Sequence, residues 1–402
     1  MTDHPASARA PRRQADHRFV LALAALVGAI GWLGIAWIGL QLLALDPPRA
    51  GDDLRLLLDA AGRAAADQPL YLAEPPGTTL QASSLFYSYP PIVAQALVPL
   101  AGLPFVVVLV GWGAAATACF LAVVRALDSA GRNLVRQVAV GLPFVFPFAI
   151  TLLFGNANAW FPLVFGLGIL AVLRPDRRTA GIAGIALALG AAVKLHPASV
   201  GIWWLVRWLR DRRRGSAGTV VVAGVVAGVV ALLLSVLVGG TGPWIDYVAF
   251  IRSVTQTADL VSPLNIGPAS QVALLLGGSE ATARLLQVPV TLAAVGITIV
   301  AAFRPRDPVE GLAWAVTASL VVLPVTWFHY PTALVPFAVA ALARRDGAPQ
   351  PGRVSALLAG AMAAAALAIV APVAVWLAVA LVLAAVRVSR PAQAADTAAL
   401  PA

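Results

Sequence analysis

The sequence predicts an all-α polytopic membrane protein, and three observations carry that expectation. Of its 402 residues 60% are hydrophobic and only 11% charged, with a mean hydropathy of +0.86, a composition foreign to soluble globules. Apolar runs long enough to cross a bilayer recur along the chain. Between them lie short arginine clusters, the pattern of cytoplasmic loops under the positive-inside rule. The net charge of +10 is therefore assigned to topology, and no nucleic-acid partner is expected. The 34 glycines and 30 prolines suit helices in lipid, where neighbouring helices satisfy freed backbone groups. The single cysteine, Cys119, excludes a disulfide framework and a cysteine metal site; inside an apolar run, it reads as a packing residue.

Taken in order, residues 1–18 form a basic cytoplasmic tail (Arg9, Arg12, Arg13, Arg18), followed by the apolar run Phe19 to Leu45. That run is too long for a cleaved signal and reads as a retained anchor. Further basic clusters at 125–136, 174–178, 207–214, 304–306, 344–353 and 387–390 mark returns to the cytoplasmic side. The spans between them fall near 19–45, 105–126, 137–153, 156–173, 179–194, 197–210, 217–239, 281–303, 310–327, 330–343, 354–370 and 372–388. This makes about twelve crossings with both termini inside, in one transmembrane domain over residues 19–390. Pro91 to Pro104 breaks the parity and reads as an interfacial half-helix. Residues 243–279 read as a polar outer loop with a short apolar piece at Val272 to Leu276, and 391–402 as a disordered tail.

The one long polar segment, 46–90, follows the first span and holds six of the 18 acidic residues: Asp46, Asp52, Asp53, Asp59, Asp67 and Glu74. Leu54, Leu57, Leu58 and Ala61 recur at helical spacing behind Asp53, giving an interfacial helix over 53–66. Asp52 or Asp53 can cap its N-terminus. Asp53, at the start of that helix, is also held rigidly enough to serve as a general base toward a hydroxyl.

The same threading puts every other polar oddity on the outer side. Tyr87, Tyr89, Pro90 and Pro91 suit an aromatic belt or a sugar groove. Asn156 and Asn158 sit in a turn, their amides also able to bind sugar hydroxyls. Lys194, at the end of an apolar run before Pro197, either snorkels or meets an anion such as a phosphate or Asp53. His196 lies beside it. Trp327, His329 and Tyr330 repeat the belt-or-ligand choice, and Trp244 and Asn265 in the 243–279 segment suit sugar recognition. With four histidines in total no usual metal-ligand spacing arises, while oxygen ligation of a divalent cation stays open.

In order along the chain stand an outer Asp-Leu helix, Leu70-Tyr71, Tyr89-Pro90-Pro91, the turn Gly155 to Asn158, Lys194-Leu195-His196-Pro197, and Trp327 with His329. In this set and order, from about residue 19 to 343, the sequence resembles glycosyltransferase family 87 of the GT-C superfamily, polyprenyl-phosphate-mannose-dependent mannosyltransferases of actinobacterial type. The resemblance implies a GT-C-type fold in the plasma membrane with the site on the outer face. It implies inverting transfer from a polyprenyl-phosphate-linked sugar to a glycolipid or glycan; no cofactor is expected, with a divalent metal left open. Asp53 is then the base, with Asp52 and Asp59 as fallbacks. Lys194, His329 and His196 face the donor phosphate. Tyr87, Tyr89, Asn156, Asn158, Trp244, Asn265 and Trp327 face sugar or acceptor. The same fold with arabinofuranose or glucose, or a lipid or sugar transporter, is the alternative.

Overall fold

A computed structural model describes residues 10–71, 87–128, 131, 133–174, 176–211, 216–257, 260–303 and 307–390. Phe86 and the tail 391–402 lie outside them, as do the side chains of residues 1–21 and 253–259. The described chain is helical, and the one β-bridge among described residues joins Asn265 and Trp327. The helices are α1 (Ala10–Leu43), α2 (Asp52–Ala65), α3 (Pro91–Ala101), α4 (Phe105–Leu127), α5 (Leu134–Gly141), α6 (Phe146–Leu153), α7 (Phe161–Leu173), α8 (Arg177–Val193) and α9 (His196–Arg210). They continue as α10 (Ala217–Gly239), α11 (Gly242–Thr257), α12 (Pro268–Leu275), α13 (Glu280–Phe303), α14 (Pro308–Ser319), α15 (Val335–Arg344), α16 (Pro351–Leu367) and α17 (Val375–Val388).

Four helices, α1 from Ala22, α4, α10 and α13, are each long and apolar enough to cross a membrane. Their outward sides carry large apolar groups such as Leu33, Val110, Leu237 and Leu285 without cover, which suits lipid contact and would be unfavourable in water. Cys119 also sits exposed on α4, so it faces outward and does not pack inside as its apolar run suggested. The core gathers α4, α7, α9, α14, α15 and α17 around Phe120, Phe165, Trp203 and Phe337.

Several expected spans take a different shape. Residues 137–153 are not one helix: α5, with a 3-10 turn at its end, and α6 meet at 73° around Val145. Pro143 and Pro147 flank the break, and each lacks an amide hydrogen for the helical ladder. The 310–327 span ends as helix at Ser319. Beyond it Gln287 Nε2 donates to the Val321 and Val322 carbonyls at 2.9 and 3.2 Å, so side chains replace the helix for these groups. Residues 330–343 begin as a 3-10 turn at Tyr330–Leu334 before α15. The 243–279 segment is largely the helices α11 and α12, the 91–104 stretch holds the helix α3, and the helix expected over 53–66 is α2, starting one residue early.

One end of the bundle is tied by arginines. Arg174 donates to the Ala126 carbonyl, and Arg210 to those of Ala302 and Phe303 at 3.3 and 2.9 Å. Arg344 meets Asp307 at 2.6 Å and the Val386 carbonyl at 3.4 Å, and Arg390 pairs with the buried Glu310. Cationic side chains thus satisfy the last carbonyls of α4, α13 and α17.

Candidate active site: a carboxylate and a cation in one cavity

Two glycines bring α2 against the end of α6. Gly51 and Gly155 both hold left-handed φ angles of 72° and 61°. A Cβ at Gly155 would lie 2.6 Å from Leu54 Cβ, and one at Gly51 would lie 2.5 Å from the Phe105 ring. Only glycine meets both demands. The close approach lets Gly51 N donate to the Leu153 carbonyl at 2.8 Å, while Asp53 N and Leu54 N donate to that of Phe154 at 3.1 and 3.3 Å. The free amides of α2 and the free carbonyls of α6 therefore satisfy one another. Leu54, Leu57, Leu58 and Ala61 bury the apolar face of α2, which leaves Asp52 and Asp53 beside a cavity of about 500 Å³.

Asp53 lies in the first turn of α2, and its Oδ2 accepts from Asn156 Nδ2 at 2.7 Å. Burial raises its pKa above the ordinary carboxylate value, opposed by the Asn156 hydrogen bond and the Lys194 charge. Asp52 is likewise raised, by burial first, with Arg49 4.0 Å away.

Lys194 follows α8, where its backbone N–H still bonds the Gly190 carbonyl. Its ammonium lies 4.3 Å from the centre of the Tyr330 ring and 6.0 Å from that of Tyr89, within cation–π range of both. It lines the same cavity as Asp53. It is also the only lysine in the sequence, set against 27 arginines. His329 lines this cavity too, and its Nε2 is buried without a hydrogen-bond partner among the described residues. Such an atom is costly unless a ligand or water meets it. Tyr89, Asn156 and Trp327 complete the set of sequence candidates in the cavity.

The other candidates lie elsewhere. Asp59 is exposed, six residues along α2 from Asp53 and so turned to another side. His196 is buried behind Tyr330, stacked on that ring at 5.7 Å, with Nδ1 3.3 Å from Ser319 Oγ. Tyr87 donates to the Pro90 carbonyl at 2.7 Å and accepts from Ala94 N at 3.0 Å, which fixes the start of α3. Trp244 Nε1 donates to Ser235 Oγ at 2.9 Å. Asn158 is fully buried, and its side-chain amide has no hydrogen-bond partner among the described residues.

Asn265 is a structural clamp. Its Nδ2 donates to the Leu260 and Pro324 carbonyls, and its Oδ1 accepts from Gly267 N and Thr326 N, all at 2.9–3.2 Å. Asn265→Ala strands buried groups at about 1–3 kcal/mol each. A thermal midpoint lower by several degrees is expected for that variant in detergent, with substrate KM unchanged. Tyr330, one of the belt-or-ligand residues, and Tyr247 of the 243–279 segment also line the cavity.

A helical bundle with lipid-suited faces that presents a buried carboxylate and a cation to one largely apolar cavity suits a group-transfer enzyme of the membrane. The comparisons with known proteins narrow this: the model of glycosyltransferase family 87 matches residues 87–324, more than half of the chain, and the chain belongs to that family. It is a membrane glycosyltransferase. The matched stretch includes Asn156 and Lys194 but neither Asp53 nor His329.

Two relatives come from Mycolicibacterium smegmatis. One is its polyprenol-phosphate-mannose-dependent alpha-(1-2)-phosphatidylinositol mannoside mannosyltransferase, 26% identical over 340 residues, covering 76% of this chain and 72% of the relative. The other is the corresponding phosphatidylinositol pentamannoside mannosyltransferase, 25% identical over 263 residues, with 62% of this chain and 59% of the relative covered. No solved structure matches the chain. Among the described residues no three His, Cys, Asp or Glu side chains come together as a metal site.

Proposed function

We propose that the protein transfers mannose from a polyprenyl-phosphate-mannose donor to a glycolipid or glycan at the outer face of the plasma membrane. The observation that carries this reading is the placement of Asp53 and Lys194 on the walls of one cavity. Asp53 takes the proton of an acceptor hydroxyl. The hydroxyl oxygen then forms a bond to the anomeric carbon as the carbon–phosphate oxygen bond breaks on the opposite face. The departing lipid phosphate carries the charge, and Lys194 and His329 Nε2–H meet it. Phosphate leaves without a general acid, so this step calls for no cofactor, while oxygen ligation of a divalent cation stays open.

Sidedness follows from charge. Read by the positive-inside rule, the arginine-tied end is cytoplasmic, which supports an outer position for the α2–α6 junction. The mannose donor is favoured by the polyprenol-phosphate-mannose dependence of both relatives. A second, apolar cavity of about 400 Å³ runs between α5–α6 and α15–α17. Phe328, a wall residue of the site, stacks at 5.7 Å on Phe146, the sequence neighbour of Pro147 in the second cavity. The hydrocarbon chain of the donor fits there.

Membranes carrying the protein, incubated with radiolabelled polyprenyl-phosphate-linked mannose, glucose or arabinofuranose, test this. Label from mannose alone is expected in a glycolipid or glycan product. Transfer of another sugar, or movement of intact donor across the membrane without transfer, would overturn it.

A further inference from the structure

The carboxylate of Asp53 does not stand free in the cavity. One oxygen, Oδ2, is occupied by Asn156 Nδ2 at 2.7 Å. The amide that holds it is itself held: Asn156 Oδ1 accepts from the backbone N–H of Asn158 at 2.8 Å, and Asn156 N donates to the Thr151 carbonyl at 2.8 Å. Because a backbone N–H can only donate, the oxygen of the amide must face Asn158 and its NH₂ must face Asp53. The backbone of Asp53 is tied to the same turn through the Phe154 carbonyl. Side chain and main chain of Asp53 thus share one rigid support, and of the two carboxylate oxygens Oδ2 is the one held by Asn156.

We propose that Asn156 is the positioning residue of Asp53: it fixes the carboxylate so that Oδ1 receives the proton of the acceptor hydroxyl. The inference rests on the assignment of Asp53 as base made above. It replaces a sugar contact at Asn156 with action through another residue, as the third member of a triad orients its base. The amide also donates to the charged form of the carboxylate, which favours ionisation. The groups around Asp53 define what else acts on that charge. Asp52 and Arg49 stand on its own side, Lys194 approaches from the α8–α9 turn, Tyr89 from the entry to α3, and Tyr330 and His329 from the segment before α15. Among them burial pushes the carboxyl up, while Asn156 and Lys194 hold it down.

Two variants of the full-length protein separate this role from a structural one. Asn156→Ala removes both the donor to Asp53 and the acceptor for Asn158 N. Asn156→Asp keeps the acceptor, so the turn stays capped, and removes only the donor. With labelled polyprenyl-phosphate-mannose, both are expected to lower kcat by roughly 10²-fold at neutral pH, the cost of a misplaced catalytic group. The acid limb of the pH–rate profile should move upward by about one pH unit, further for Asn156→Asp because a second carboxylate adjoins the first. Donor and acceptor KM should stay within about twofold.

Infrared pH titration of the carboxyl band that disappears in Asp53→Asn reads the same shift without any substrate. It therefore remains decisive if the sugar assignment fails. An unmoved titration midpoint in Asn156→Asp would overturn the proposal. So would a raised KM with unchanged kcat, which would return Asn156 to the role of a sugar contact.

Discussion

Asp53→Asn is expected to abolish sugar transfer, lowering kcat by about 10²–10⁴-fold, the range for loss of a general base, while the protein still accumulates and inserts. The variant is nearly isosteric, and an amide oxygen in place of Oδ2 still accepts from Asn156 Nδ2. The α2–α6 junction, built on backbone bonds from Gly51, Asp53 and Leu54, is untouched. What is lost is the capacity to take a proton. Assays of membranes with matched protein content check this, and wild-type turnover in the variant would sink the assignment. The wild-type enzyme should also lose activity as pH falls through the pKa of Asp53. Because burial raises that value, the loss begins above the range of an ordinary carboxylate. Raised pH restores activity by deprotonating the same group.

Lys194→Met should lower kcat/KM for the donor by about 10²–10³-fold, the scale for removing a preorganised group from a developing anion. Methionine preserves much of the side-chain volume and removes the charge. Lys194→Arg should recover part of the loss, since the charge returns on a larger, planar group that fits less well between the Tyr89 and Tyr330 rings. Both kcat and KM should change, because the phosphate is anionic in donor and leaving group alike. A Lys194→Met enzyme within about twofold of wild type would show the ammonium to be merely snorkelling, outside the reach the cation mechanism needs. Steady-state kinetics at fixed ionic strength decides between the two.

The fold class was legible because lipid imposes one rule on the whole chain: apolar runs must be helical and cationic loops stay on one side. The break at Val145 was less legible, since Pro143 and Pro147 alone do not reveal that α5 and α6 part at 73°. The end of α14 at Ser319 was hidden for a similar reason, as its replacement hydrogen bonds come from Gln287, distant in sequence.

The site divides along the same line. Asp53, Lys194 and His329 stood out as charges or polar rings where lipid disfavours them, and the structure brings all three to one cavity. His196 carried an identical signal yet packs against Phe161 and Tyr330; two residues along the chain separate a cavity wall from a core. Asn156 and Asn265 are amides of equal appearance in sequence. Only their partners, a carboxylate for one and four backbone groups for the other, separate a positioning role from a clamp.

The central claim is that Asp53 acts as a base in a single displacement and never bonds to the sugar. The direct measurement is a single-turnover reaction of the purified enzyme with isotopically labelled polyprenyl-phosphate-mannose, with product anomeric configuration read by NMR and the protein by intact mass. A product of configuration opposite to the donor, from a protein of unchanged mass, is the expected result. Retained configuration, or a mannosyl adduct on Asp53, would contradict it.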